Sequence, residues 1–161
     1  MIILRLIFGG KVKVSSFKVE YLSKEILALA SNCDHKTLAI WALDCSERVL
    51  PYFEDKYPDD NRPRLAIEAG RAWVRDELPM WEARKFALPA HTSARNVATD
   101  LAACAAARSS GQALGTAHVA DHAPHAATYA AKAVGYAKED INKERERQYS
   151  HLLELYQNQK V

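Results

Sequence analysis

The chain has 161 residues, a formal net charge of +2, a sequence pI near 8.4 and 48% apolar residues. That length suits one domain able to bury a core without staples, and basic residues interspersed with acids argue against a nucleic-acid binder. The three cysteines, Cys33, Cys45 and Cys104, are odd in number and lack C-x-x-C spacing, which argues against a disulfide framework or a structural zinc site and fits a reducing cytoplasm.

MIILRLIF at the start is too short to span a membrane and lacks the charged flank and cleavage site of an export signal. Residues 1–17 are expected to be an extension, either a β-strand or a loose segment, ahead of a single all-helical domain over 18–161. Lys11, Lys13 and Lys18 read as solvated rather than as a phosphate-binding surface.

VEYLSKEILALAS predicts a helix ending near Ser31 and Asn32. Asp34 is then a good N-cap, since its carboxylate can accept a backbone N–H two or three residues on. Leu38, Trp41, Ala42, Cys45, Val49 and Phe53 follow as one apolar stripe at helical spacing, with Pro51 placed to kink or end the helix. YPDDNRP, residues 57–63, is a turn leading into a helix whose first turn tolerates Pro63.

RLAIEAGRAWVRDEL predicts the next helix, running to Leu78 and stopped by Pro79. MWEARKFAL is a further short helix before Pro89. Between residues 90 and 137 alanine dominates. Ala94, Val97, Ala98, Leu101, Cys104 and Ala105 suggest one helix face, and Ser109-Ser110-Gly111 a break. Small side chains allow close helix approach, so these helices are expected at the centre. The closing segment KEDINKERERQYSHLLELYQ reads as a charged surface helix docking through Leu152, Leu153, Leu155 and Tyr156.

The fold class expected is all-α: an antiparallel bundle or stacked helix pairs of about six to seven helices. Trp41, Trp73, Trp81, Cys45 and Cys104 are expected in the core.

GTAHVADHAPHAATYA, residues 115–130, holds His118, His122 and His125 at i, i+4 and i+7. A pair at i, i+4 can reach one divalent ion, with Asp121 near enough to join. However, H-E-x-x-H is absent and Pro124 interrupts the face, so the plainer reading is that His118 and His122 pack between helices. Glu54, Asp55, Asp59, Asp60 and Arg62 form a charged loop, either solvated turn chemistry or a recognition surface. No nucleophile elbow, phosphate loop or dinucleotide fingerprint occurs.

CDHKTLAIWALDCSERVLPYFEDKYPDD (33–60), RPRLAIEAGRAW (62–73), GTAHVADHA (115–123) and ERERQY (144–149) together resemble a family of bacterial immunity proteins associated with polymorphic-toxin systems. The matching positions are Asp59, Asp60, Arg62, Pro63, Arg71, Trp73, His118 and His122; Pro124 and His125 depart from the pattern. The resemblance implies an all-α, non-enzymatic, protective protein that binds a toxin-like protein partner and carries no established catalytic set, and no cofactor is expected. Two alternatives stand beside it. One is a metal-dependent helical enzyme using His118, Asp121 and His122 to hold a divalent ion that activates water. The other is a structural homo-oligomer, such as a homodimer paired through the closing helix. Neither nucleic acid nor membrane is an expected partner.

Overall fold

The computed structural model describes residues 18–159, so the strand or loose segment expected at 1–17 lies outside the described residues. Among the described residues the fold is all-α. In chain order the helices are α1 (Ser23–Ala30), α2 (His35–Val49), α3 (Pro51–Glu54), α4 (Arg62–Val74), α5 (Met80–Ala83), α6 (Ala87–Asn96), α7 (Leu101–Gly115), α8 (His122–Tyr136) and α9 (Ile141–Gln159), with a 3-10 turn at Arg84–Phe86. Seven of these have eight or more residues, while α3 and α5 are four-residue turns at Pro51 and Pro79.

Local chemistry sets most of the boundaries. The Asp34 carboxylate accepts the Thr37 N–H at 2.7 Å and starts α2. Asp100 does the same for α7 through Ala103, and Asp140 for α9 through Lys143. α4 and α8 end without glycine. Asp76 and Lys138 adopt left-handed φ of 59° and 61°. The next amides, Glu77 and Glu139, reach back to the carbonyls of Ala72 and Val134, closing a six-to-one helix end in each case. For this reason α4 stops at Val74, four residues before the end expected at Leu78.

α7 is the axis of the packing. It lies against α2, α3, α4, α6 and α8, and most of its inward positions are Ala, Ser or Gly. α2 and α8 run antiparallel to it: His35 at the start of α2 meets the Thr116 carbonyl beyond the end of α7, while Ser46 late in α2 meets Ser109. In α8, Ala126 pairs with Ser109 and His122 with Gln112. The central place expected for the alanine-rich helices is observed.

Four expectations are corrected. Ser109-Ser110-Gly111 do not break a helix: α7 runs through all three, because Ser110 donates to its own Ala106 carbonyl and Ser109 donates across to Ala126. The break falls earlier, at residues 97–99, so Ala94 and Cys104 stand on different helices. Pro89 lies inside the first turn of α6 instead of ending a helix, a position where its missing N–H has no helical partner to lose. Trp81 is not a core residue but is 58% exposed, since α5 turns Ala83 inward. Of the other expected core residues, Trp41 and Cys45 are fully buried, whereas Trp73 and Cys104 are half-buried against the core.

The fourth correction concerns α9, whose charged first half is part of the interior. Glu144 and Arg145 are each 2% exposed, and Gln148 is fully buried. Arg48 of α2 donates to Glu144 at 2.8 Å. Arg145 donates to Gln148 Oε1 at 2.8 Å, to Ser23 Oγ at 3.0 Å and to the Tyr21 carbonyl at 3.2 Å. Gln148 Nε2 donates to the Ala127 carbonyl and to Glu144. Charges this deep are tolerated only when paired and fully hydrogen-bonded, and every buried side-chain polar atom among the described residues has a partner. No helix among the described residues is long and apolar enough to cross a membrane.

Candidate partner-binding surface

The charged loop expected between α3 and α4 is present, and the fold divides its charges into two kinds. Glu54, the last residue of α3, accepts two hydrogen bonds of 2.8 Å from the Arg64 guanidinium. Arg64 also reaches Glu47 at 2.8 Å, Arg71 bridges Glu47 and Asp44 at 2.5 and 2.8 Å, and Asp44 meets His151 Nε2 at 2.7 Å. This alternating chain ties α2, α3, α4 and α9 together along one side of the molecule. Asp60 accepts from Arg62 Nε at 2.8 Å, Arg62 Nη2 at 2.7 Å and the Arg62 amide at 3.2 Å. That guanidinium, with help from Ser93, lowers the Asp60 pKa to about 2.

Glu54, Asp60 and Arg62 are therefore neutralised within the molecule. Asp55 and Asp59 are exposed and form no ion pair among the described residues. The loop backbone is held rigidly: the rings of Phe53 and Tyr57 lie 5.2 Å apart, and both Tyr57 and Lys56 donate to Asp100 at 3.1 Å. Residues 56–62 line one open hollow, and a second hollow lies on the other side of Lys56, against Tyr52, Asp100 and Tyr136.

The histidine stretch is dispersed. α7 ends at Gly115 and α8 begins at His122, so His118 lies in the connecting turn and the three rings do not share one helical face. His118, Asp121 and His125 are exposed. His122 is half-buried, with Nδ1 donating to Gln112 Oε1 at 2.7 Å and its ring covering Gly115. Packing between helices thus describes His122 and not His118. Among the described residues, no three or more His, Cys, Asp or Glu side chains gather in a way that could hold a metal ion.

Sequence reading passed over His91. It is carried by α6, and its ring lies directly against Gly111 of α7. Burial lowers its pKa, reinforced by Arg108, Arg95 and His122. Burial likewise lowers that of His122, next to His125 and His118. The signal that could have found His91 is the pairing of a histidine with a glycine in an alanine-rich seam.

The interior polar cluster and the charged chain account for much of the sequence pattern. Residues 144–149 supply the buried Glu144–Arg145–Gln148 cluster, and the segment at 62–73 supplies Arg62, Arg64 and Arg71. The model of the Imm-5 like putative immunity protein family matches residues 28–155. No curated protein and no solved structure matches the chain.

Proposed function

The chain belongs to the Imm-5 like immunity protein family, and from that premise we propose that it is a non-enzymatic cytoplasmic protein that binds and neutralises a toxin-like partner protein. The observation that supports this most is the family match across most of the helical body. The division of charge in the loop adds to it. A rigid loop presenting two carboxylates without internal partners, Asp55 and Asp59, beside open hollows is suited to electrostatic capture of a basic patch on another protein. Glu54, Asp60 and Arg62 shape that loop from within.

The other two readings find less support. A metal-activated water would need His118, Asp121 and His122 to converge, whereas His122 is held by Gln112. Self-pairing through the closing helix would need its apolar cluster, whose Leu152 is buried and whose Leu155 packs on the core.

The test is co-expression with the toxin-like product of the adjacent gene, followed by titration of the purified pair. We expect growth to be protected and a stable complex to form, with Asp55→Lys/Asp59→Lys weakening it at least tenfold. Failure of the wild-type chain to protect or to bind would remove the proposal.

A further inference from the structure

Residues 80–96 wind as one continuous right-handed stretch through α5, the 3-10 turn and α6. Its inner side is small: Ala83, Ala90, Ser93 and Ala94 are all buried. Its outer side carries Trp81, Lys85, Leu88 and Arg95 at i, i+4, i+7 and i+14, with Arg84 beside them. Trp81 is 58% exposed and Leu88 66%, the two largest such values among the big apolar side chains described. The Lys85 ammonium sits 4.8 Å over the Trp81 ring.

The cations here differ from the arginines of α4 and its C-terminal end. Arg62, Arg64, Arg71 and Arg75 are each bound to a carboxylate, whereas Arg84, Lys85 and Arg95 form no ion pair among the described residues. The face also borders the loop described above, since Ser93 of α6 lies close enough to Asp60 to help lower its pKa.

We infer that the Trp81–Leu88 face is a docking surface for a partner protein whose facing side is acidic around an apolar hollow. This rests on the binding-module reading and adds to it a second contact of opposite charge. An exposed Trp with flanking Arg is the residue make-up of interface anchors: the aromatic fills the hollow, and the cations meet carboxylates at the rim. A second copy of this chain would bring like charges together. Single-stranded nucleic acid would need a succession of stacking rings along a cationic groove, and this face offers Trp81 alone. A membrane surface would need a longer apolar stripe than two side chains.

The test uses the full chain and two probes. The first is a synthetic helical peptide of alternating glutamate and leucine blocks, followed by isothermal titration calorimetry, with its lysine counterpart, single-stranded DNA and anionic vesicles as comparators. The second is the adjacent-gene toxin-like protein. Because Trp81 is exposed, Trp81→Ala should melt as the parent does, and circular dichroism checks this. We expect the acidic peptide to bind best, and Trp81→Ala and Arg84→Glu/Lys85→Glu each to weaken binding about tenfold or more. Unchanged binding in both variants, or preference for DNA, vesicles or the lysine peptide, overturns the inference. If the toxin-like protein is bound and neutralised equally well by both variants, the immunity reading stands and this face falls. If the acidic peptide binds through Trp81 while the wild-type chain protects against no toxin, the face stands and the immunity reading falls.

Discussion

The indole N–H of Trp41 donates to the backbone carbonyl of Gln148 at 2.9 Å, joining α2 to α9 across 107 residues of sequence. The same glutamine uses its side chain to hold Ala127 of α8, Glu144 and Arg145. One turn of α9 therefore closes the helical body at a point where α2 and α8 meet.

Replacing that glutamine by leucine keeps the volume and removes the polarity. Gln148→Leu leaves one Arg145 N–H in the interior without its acceptor and takes a donor from the buried Glu144, so a loss of about 2–4 kcal/mol is expected. Urea denaturation followed by circular dichroism measures it. A loss below about 0.5 kcal/mol would mean that water reaches this cluster.

Gly111 and His91 should show strong coupling. A Cβ added at Gly111 would lie 2.6 Å from the His91 ring, so Gly111→Ala alone is destabilising, by about 1–3 kcal/mol. Once His91→Ala clears the ring, the same change should gain up to about 1 kcal/mol of helix propensity. The sign reversal is read from a double-mutant cycle of urea midpoints.

Lys138 ends α8 in a left-handed conformation that lysine adopts only at a cost. Lys138→Gly should therefore raise stability by about 0.5–1 kcal/mol, with a matching rise in Tm. A fall in Tm would mean that the lysine side chain supplies more than its backbone costs.

The pH dependence follows from His91 and His122, whose folded pKa values are lowered below the ordinary imidazole value of 6.5 by burial and nearby positive charge. A depressed base binds protons more readily when the chain unfolds. The neutral rings thus favour the fold fully above about pH 6.5, and that contribution is lost as pH falls below it. Asp60 acts lower: its contribution is present above the unfolded carboxylate value of 3.8 and is lost as pH falls toward about 2. Urea midpoints at pH 7.5 and pH 5.0 should therefore differ, and His91→Gln/His122→Gln should shrink that difference. An unchanged difference would place the titration elsewhere.

Much of this architecture was legible in the residues, for reasons that separate the successes from the misreadings. The Asp34 cap, the stripe from Leu38 to Phe53 and the stop at Pro51 depend only on neighbours in sequence, and all three hold. The misreadings concern residues whose partners are remote. Glu144 and Arg145 look like solvent residues until Arg48, Ser23 and Gln148 are brought against them. Ser109 looks like a breaker until Ala126 accepts its proton. Trp81 has apolar neighbours along the chain, and only the direction of α5 shows that it faces outward. For the candidate surface, the loop at 54–62 was visible as charge, but its split into neutralised and free carboxylates depends on Arg64 and Arg62 side-chain geometry.

α7 and α8 pack against each other and bury Ala103, Ala106, Ala107 and Ala113 of the first helix and Ala123, Ala126, Ala127 and Ala130 of the second. None of these side chains has a rotamer to surrender, so ordering that seam costs backbone entropy alone. The middle of the molecule can yield only by moving whole helices. Gradual softening by side-chain hopping is closed to it, and a partner seated on the outside meets a stiff support.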